Sequence, residues 1–305
     1  MSMKLIRKAY HCVARRYPLV KRIVQDVRAY GRASYTYRHC TSLFVPVLGM
    51  HRSGTSAVAS LLQANGVSLG EDLIDPNQTN EPGFFESRGA IAINDALLHR
   101  LGGSWRDPPP QIPQFSRGLL RQAGRFLHEL SASGPVVGWK DPRTTVTWAA
   151  WYELLRAQRF QIVAVFRHPN RVAKSLLAIY DDLTFSEAIS LWLRYSVRLL
   201  ALEQDVVWVN FDAPLEQQIQ AACARVDVKY DPETMAVYNQ RFVHNRDHFA
   251  STGNSDADRA YEWMLAKWKR QACPDQAREV RPCAERQSVS TAGRALDGSA
   301  QDSAT

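Results

Sequence analysis

The 305-residue chain predicts an α/β fold in three layers, with a mainly parallel central sheet flanked by helices. Three observations carry this expectation. Leu43 to Leu48 is a short apolar run that passes through a tight turn, Gly49 to Gly54, into Thr55, Val58, Leu61 and Leu62 at helical spacing. Gln161 to Phe166 is a second apolar strand, running into Arg167, His168 and Pro169, and a proline there suits the first turn of a helix. Val136 to Trp139 and Val206 to Phe211 complete a set of strands separated by helical stretches, the alternation of a parallel sheet. An apolar fraction of 45% suits a packed core.

Residues 1–42 read as a basic amphipathic N-terminal arm. Ile6, Tyr10, Val13, Tyr17, Val20, Val24 and Val27 recur in steps of four and three among Lys and Arg, with an interruption at Pro18. Such a helix lies on an anionic membrane surface, packs on a partner, or covers its own domain; peripheral contact with the inner face of a membrane is one of these readings. The arm holds ten Lys and Arg against Asp26, a net +9, whereas the whole chain is +8, so the remainder carries −1. The basic balance therefore belongs to the arm. With no zinc-finger, helix-turn-helix or RNA-recognition signature, no nucleic-acid partner is expected. The five cysteines are scattered and never in Cys-x-x-Cys spacing, which suits reduced thiols in the cytoplasm, and no secretory or membrane-spanning run is read.

The strand, loop and helix of residues 43–60 are the chemical centre. A loop of this kind turns backbone N–H groups toward the first turn of a helix, whose dipole adds to them, and so makes a socket for phosphate. Gly49-x-x-x-x-Gly54-Thr55-Ser56 has P-loop spacing, so the fold expected is of the P-loop type. Thr55 stands where a nucleotide triphosphatase needs Lys. The cation comes earlier, at Arg52, and Ser53, Thr55 and Ser56 add hydroxyls.

Asn65-Gly66 stops the first helix, and a loop follows through Phe84, Phe85 and Glu86. Glu86 is a candidate base, its flanking rings a means of raising its pKa; its bland reading is a solvated carboxylate. His51, inside the phosphate loop, is a second candidate. Helices are expected at Ile91–Leu101 and Ser116–Ser131, separated by a stiff loop with Pro108, Pro109 and Pro110. The strand at Val136 ends in Lys140-Asp141-Pro142-Arg143, and a helix is expected at Thr147–Gln158. In an open parallel sheet, ligands bind beyond the carboxyl ends of the strands, so Arg52, Lys140 and Arg167 converge there. Asp141 either orients Lys140 or acts as a base; Arg143 meets donor or an acidic acceptor; a surface salt-bridge cluster is the bland alternative. Ser175 falls two helical turns beyond Pro169, where its hydroxyl can share an anion with Arg167.

Thr184-Phe-Ser-Glu187 has capping-box spacing and opens a long helix carrying Phe185, Ile189, Trp192, Tyr195, Leu199 and Leu202 on one face. Asp212, after the last strand, invites comparison with a magnesium-binding aspartate, but the P-loop lysine that would accompany it is missing. His244 and His248 are four apart without a third ligand, so no metal is expected. The α/β domain spans 43–250; residues 251–273 hold a short helical segment, centred on Ala260–Lys269; residues 274–305, rich in Ser and Ala, read as disordered.

Residues 43–212 resemble the sulfotransferases that use 3′-phosphoadenylyl sulfate (PAPS). Their 5′-phosphosulfate loop reads Lys or Arg, Ser, Gly, Thr, Thr or Ser, as Arg52 to Ser56 does here. Their 3′-phosphate motif places an Arg at a strand end and a Ser eight residues later, which Arg167 and Ser175 match. The resemblance implies PAPS as donor, bound by Arg52, Ser53, Gly54, Thr55, Ser56, Arg167 and Ser175, with no metal. It implies Lys140 and Arg52 at the transferring sulfuryl group, and a carboxylate or His, Glu86 or His51, as base. The wording of the motifs resembles bacterial carbohydrate-modifying members, so a glycan, glycolipid or other small acceptor is expected. The Arg-Lys-Gly segment that many cytosolic members carry near the C-terminus is missing. The rival readings are a P-loop kinase, which would have Lys at position 55 and need Mg²⁺, and a nucleotide-binding module without turnover.

Overall fold

The computed structural model describes residues 40–75, 83–112, 114–241 and 251–272. The arm up to residue 39, part of the loop before Glu86, the segment holding His244, Arg246 and His248, and the C-terminal tail lie outside the described residues.

Four parallel strands form the sheet: β1 (Leu43–Leu48), β2 (Val136–Lys140), β3 (Ile162–Phe166) and β4 (Val206–Asn210), in the order β2-β1-β3-β4. The strands read as unbroken apolar runs because both faces are covered. With a side-chain period of two, the faces separate two cores. Phe44, Leu48, Trp139, Ala164, Phe166 and Trp208 belong to the larger core, and Val45, Val47, Val163, Val165, Val207 and Val209 to the smaller. The smaller core is closed by α1 (Thr55–Ala64), α7 (Glu216–Arg225) and α8 (Glu233–Arg241). The larger is closed by α2 (Arg88–Arg100), α3 (Arg117–Ser131), α4 (Arg143–Leu155), α5 (Pro169–Leu177), α6 (Phe185–Leu200) and α9 (Ser255–Ala272). This is the three-layer α/β fold expected from the strand and helix alternation.

The helix boundaries differ from expectation where caps were overlooked. α2 starts at Arg88 because Ser87 Oγ accepts the N–H of Ala90. α4 starts at Arg143, four residues before the expected Thr147, because the Asp141 carboxylate accepts the N–H of Arg143 at 3.2 Å. α9 runs from Ser255 because Asn254 Oδ1 accepts from the N–H groups of Asp256 and Ala257, and it buries Ala257, Ala260 and Met264 in the larger core. α7 and α8, unread in the sequence, carry few large apolar residues. α7 is instead tied down by Gln218, whose amide bonds both the N–H and the C=O of Asn210 in β4. The capping box at Thr184 and Glu187 forms in both directions.

Asn94 of α2 joins α4 to the end of β2. Its Nδ2 donates to Asp141 Oδ2 at 2.7 Å and Thr144 Oγ1 at 3.0 Å, and its Oδ1 accepts from Thr147 at 2.7 Å and Trp151 Nε1 at 2.8 Å. All four bonding positions of a fully buried amide are filled. Truncation would leave the carboxylate of Asp141, also fully buried, short of a donor. Asn94→Ala is expected to cost about 3 kcal/mol or more, read as a lower urea midpoint at unchanged slope. A loss within 0.5 kcal/mol would show that Asp141 does not depend on the network (~0.5 kcal/mol being ordinary for a surface change).

Candidate active site at the ends of β1, β2 and β3

β1 pairs with β2 on one side and with β3 on the other, so the strand order reverses at β1. The crevice between the carboxyl ends of β1 and β3 is where such a sheet binds ligands. The loop from Gly49 to Gly54 and the segment from Arg167 both open into it.

The loop is moulded to its neighbours. A Cβ on Gly54, at φ 92°, would meet the Phe211 ring at 2.1 Å, and one on Gly49 would meet the carbonyl oxygen of Val165 at 2.5 Å. The Thr145 hydroxyl locks Gly49, accepting its N–H at 2.8 Å and donating to its C=O at 3.0 Å. Arg52 has φ 66°, a left-handed conformation that costs a non-glycine residue about 1–2 kcal/mol. No side chain caps α1, so its first-turn N–H groups face the crevice without an internal acceptor.

The two motifs meet directly. Arg52 Nε donates to Ser175 Oγ at 2.9 Å across 123 residues of sequence, and Arg167 Nη1 donates to the carbonyl oxygen of Arg52 at 3.4 Å. Burial lowers the pKa of both arginines from the usual guanidinium range; Asp212 partly offsets the effect at Arg167. Asp212 takes no magnesium-ligand geometry. Its Oδ2 accepts the N–H of His168 at 2.6 Å, and its Oδ1 lies 3.0 Å from Arg171 Nη1 and 3.7 Å from Arg167 Nε. Among the described residues, no group of three or more His, Cys, Asp or Glu could hold a metal ion, and no helix is long and apolar enough to cross a membrane.

Lys140 is buried at the end of β2. Its ammonium donates to Glu86 Oε1 at 2.6 Å, to Ser56 Oγ at 3.1 Å and to the carbonyl oxygen of Phe84 at 3.2 Å, which occupies all three of its donors. Glu86 is buried beside Lys140. A left-handed turn at Phe85, φ 52°, delivers it to Lys140, and Arg143 Nη1 lies 3.9 Å from its other oxygen. So placed, Glu86 is the counter-ion of Lys140, its Oε1 accepting from the ammonium. Asp141 faces Arg143 and Asn94 rather than Lys140; burial raises its pKa, with Arg143 opposing. Arg143 is shared among Asp141, Asp95 and Glu86.

His51 differs from these paired groups. Its ring is 4.5 Å from that of Trp105 and 6.2 Å from that of Tyr195, and Nε2 is sealed from solvent without a hydrogen-bond partner. Desolvation, then the charges of Arg143, Lys140 and Arg52, push its pKa well below the ordinary 6.5. It is a neutral imidazole with an unused nitrogen. Ser53 in the loop and Thr55 at the start of α1 are buried. The structure thus gathers Arg52, Ser53, Gly54, Thr55, Ser56, Arg167 and Ser175 around one crevice, with His51, Lys140 and Glu86 on its β2 side. Sequence reasoning missed Trp105, which is beside His51, and Tyr180, whose ring is 5.5 Å from that of Trp105, with Arg106 4.4 Å over Tyr180. Their signal was weak, since each is a lone aromatic in a loop.

Fold and site define a three-layer α/β protein of P-loop type with a lysine-free loop at position 55. No protein-family model and no curated protein sequence matches the chain. Among solved structures it is similar to the sulfotransferase domain from the Synechococcus PCC 7002 olefin synthase, with 12% identity and a TM-score of 0.47 over 73% of this chain and 94% of that one.

The buried imidazole has a consequence for stability. An unfolded histidine binds its proton near 6.5, whereas folded His51 binds it only at lower pH, so stability falls as pH drops below 6.5. In His51→Gln the urea midpoint is expected to decline less between about pH 6.5 and 5 than in the wild type. Parallel declines would contradict a neutral, desolvated His51.

Proposed function

We propose that the protein is a sulfotransferase, moving a sulfuryl group from PAPS to a hydroxyl of an acceptor, a carbohydrate or glycolipid. The observation that carries the reading is the 2.9 Å bond from Arg52 to Ser175, with Arg167 on the Arg52 carbonyl. It joins the two segments that resemble the 5′-phosphosulfate and 3′-phosphate motifs into one anion site.

The residues present fit such a donor. The uncapped end of α1, the glycine-lined loop and the Arg167 guanidinium supply donors for anionic groups at both of its ends. When bound, PAPS supplies a sulfuryl group on a phosphate leaving group. Arg52 and the α1 amides neutralise the charge that grows on the bridging oxygen as the bond to sulfur breaks. Lys140, held by Glu86 and Ser56, adds a fixed positive charge beside that helix end. His51 Nε2 accepts the proton of the attacking hydroxyl as its oxygen bonds to sulfur. Glu86 holds Lys140 instead of taking the proton. The Trp105 ring packs against that of His51, and the Trp105 and Tyr180 rings offer apolar faces to a sugar ring. The kinase reading is less favoured: Thr55 replaces the P-loop lysine, and the Asp212 carboxylate is engaged by Arg171 and the His168 N–H.

The test follows sulfur-labelled PAPS into a pool of carbohydrate acceptors. Labelled sulfate esters are expected to form, with one adenosine 3′,5′-bisphosphate released for each. His51→Asn is expected to lower the rate about 10²- to 10⁴-fold while affinity for the bisphosphate holds. The acid limb of kcat/KM should lie below 6.5, because the folded imidazole stays neutral there. Full activity in His51→Asn would reject it as base, and transfer of phosphate from ATP in place of sulfur would reject the function.

A further inference from the structure

Among the described residues, His51 Nε2 is closed off from solvent and has no hydrogen-bond partner. A base that takes a proton from an acceptor must be reached by it, so whatever closes Nε2 off has to move. Two rings lie against the imidazole, Trp105 at 4.5 Å and Tyr195 at 6.2 Å. They differ in freedom. Tyr195 is fully buried in α6, and its hydroxyl donates to the Trp105 carbonyl oxygen at 3.0 Å. Trp105 is half-buried in the loop between α2 and α3, and the backbone of that loop is pinned. Besides the Tyr195 bond, Arg198 Nη2 donates to the Pro109 carbonyl oxygen at 2.6 Å, and Arg194 pairs with Asp107. The Trp105 ring is held by packing instead. The Tyr180 ring lies 5.5 Å from it, and the Arg106 guanidinium sits 5.3 Å from the Trp105 centroid and 4.4 Å over Tyr180. Arg106 Nη1 in turn donates at 2.5 Å to Asp182 Oδ2, in the turn between α5 and α6, a pair with side chains 32% and 63% exposed. Ion pairs so exposed are weak, because water competes for both partners.

We propose that the Trp105 ring is a gate on His51 and that the Arg106–Asp182 pair is its latch. With the pair formed, Arg106 holds the Trp105 and Tyr180 rings together beside the imidazole. With it broken, the Trp105 side chain rotates while the pinned backbone stays, and Nε2 opens to solvent. Rotation of a side chain needs no movement of the fold. A base uncovered only to receive an acceptor is kept from water at other times, which limits loss of the donor to hydrolysis. That use of the opening rests on the reading of His51 as the base; the opening itself does not.

The test is ethoxyformylation of the full chain by diethyl pyrocarbonate, without donor or acceptor, at about pH 7, where ordinary imidazoles are mostly neutral. Peptide mass spectrometry reads the rate at His51, with His128, exposed on α3, as the internal reference. In the wild type His51 is expected to react at least about tenfold more slowly than His128. Asp182→Ala should speed His51 about two- to fivefold, the effect of losing an exposed ion pair, and Trp105→Ala about tenfold or more, with His128 unchanged in both. Asp182 is a surface side chain, so its variant carries the test if Trp105→Ala does not fold. A wild-type His51 as reactive as His128 overturns the gate, as does an unchanged His51 rate in either folded variant. Equal acceleration at both histidines marks a general loosening and overturns it too. Because no donor is present, failure of the gate is distinct from failure of the transfer reading, which the labelled-sulfur assay decides.

Discussion

The loop between β1 and α1 has no room for side chains where it meets its neighbours, and the rest of the site depends on that close approach. Gly54 rests on the Phe211 ring after β4, and Gly49 on the Val165 carbonyl of β3. Because the strand order reverses at β1, the residues that follow β3 and β4 are the ones the loop must touch. Pressing the loop down there turns Arg52 into a left-handed conformation and aims it at Ser175 and Arg167. Strain of this kind persists only where surrounding structure over-determines it. Here the Thr145 hydroxyl on one side and the α5 segment on the other supply the constraint.

Charge in the crevice is divided between two arrangements. On the β2 side, Lys140 and Arg143 are buried against Glu86, Asp141 and Asp95, and removing one partner of such a set is costly because the other is left uncompensated. That side is rigid, and its carboxylates are bound to cations. On the β3 side, Arg167 and Arg171 share the carboxylate of Asp212, and Arg52 donates to Ser175. His51 is kept neutral by desolvation and by the charges of Arg143, Lys140 and Arg52.

Much of the fold was legible because its signals are local. Four apolar runs, the two loop glycines, Pro169 and the Thr184–Glu187 capping box each mark an element without reference to distant residues. The helices that escaped notice, α7 and α8, present little apolar periodicity, and α7 is anchored by the Gln218 amide on β4, which a periodicity reading does not weigh. The early starts of α2 and α9 come from caps by Ser87 and Asn254, and that of α4 from the Asp141 carboxylate accepting the Arg143 N–H, polar residues that a search for apolar spacing passes over. In the site, the identities of Arg52, Lys140 and Arg167 were legible because each follows a strand. Their partners were not. Glu86 is ion-paired to Lys140 by a turn at Phe85, Asp141 belongs to Asn94 and Arg143, and Asp212 faces arginines, all contacts set by tertiary packing across 41 to 54 residues or by the backbone. The cover of Trp105 over His51 was equally invisible, since it depends on Tyr195 of α6 donating its hydroxyl to the Trp105 carbonyl at 3.0 Å.

The central claim is that the two distant motifs form one site for a donor phosphorylated at both ends of its nucleoside. The most direct measurement is the shift in melting temperature caused by adenosine 3′,5′-bisphosphate compared with ATP and Mg²⁺, in the wild type and in Arg167→Ala, because a ligand that binds only the native state must raise it. The account predicts the larger shift for the bisphosphate, and loss of that advantage in Arg167→Ala. A larger shift with ATP and Mg²⁺, or a bisphosphate shift indifferent to Arg167, would contradict it.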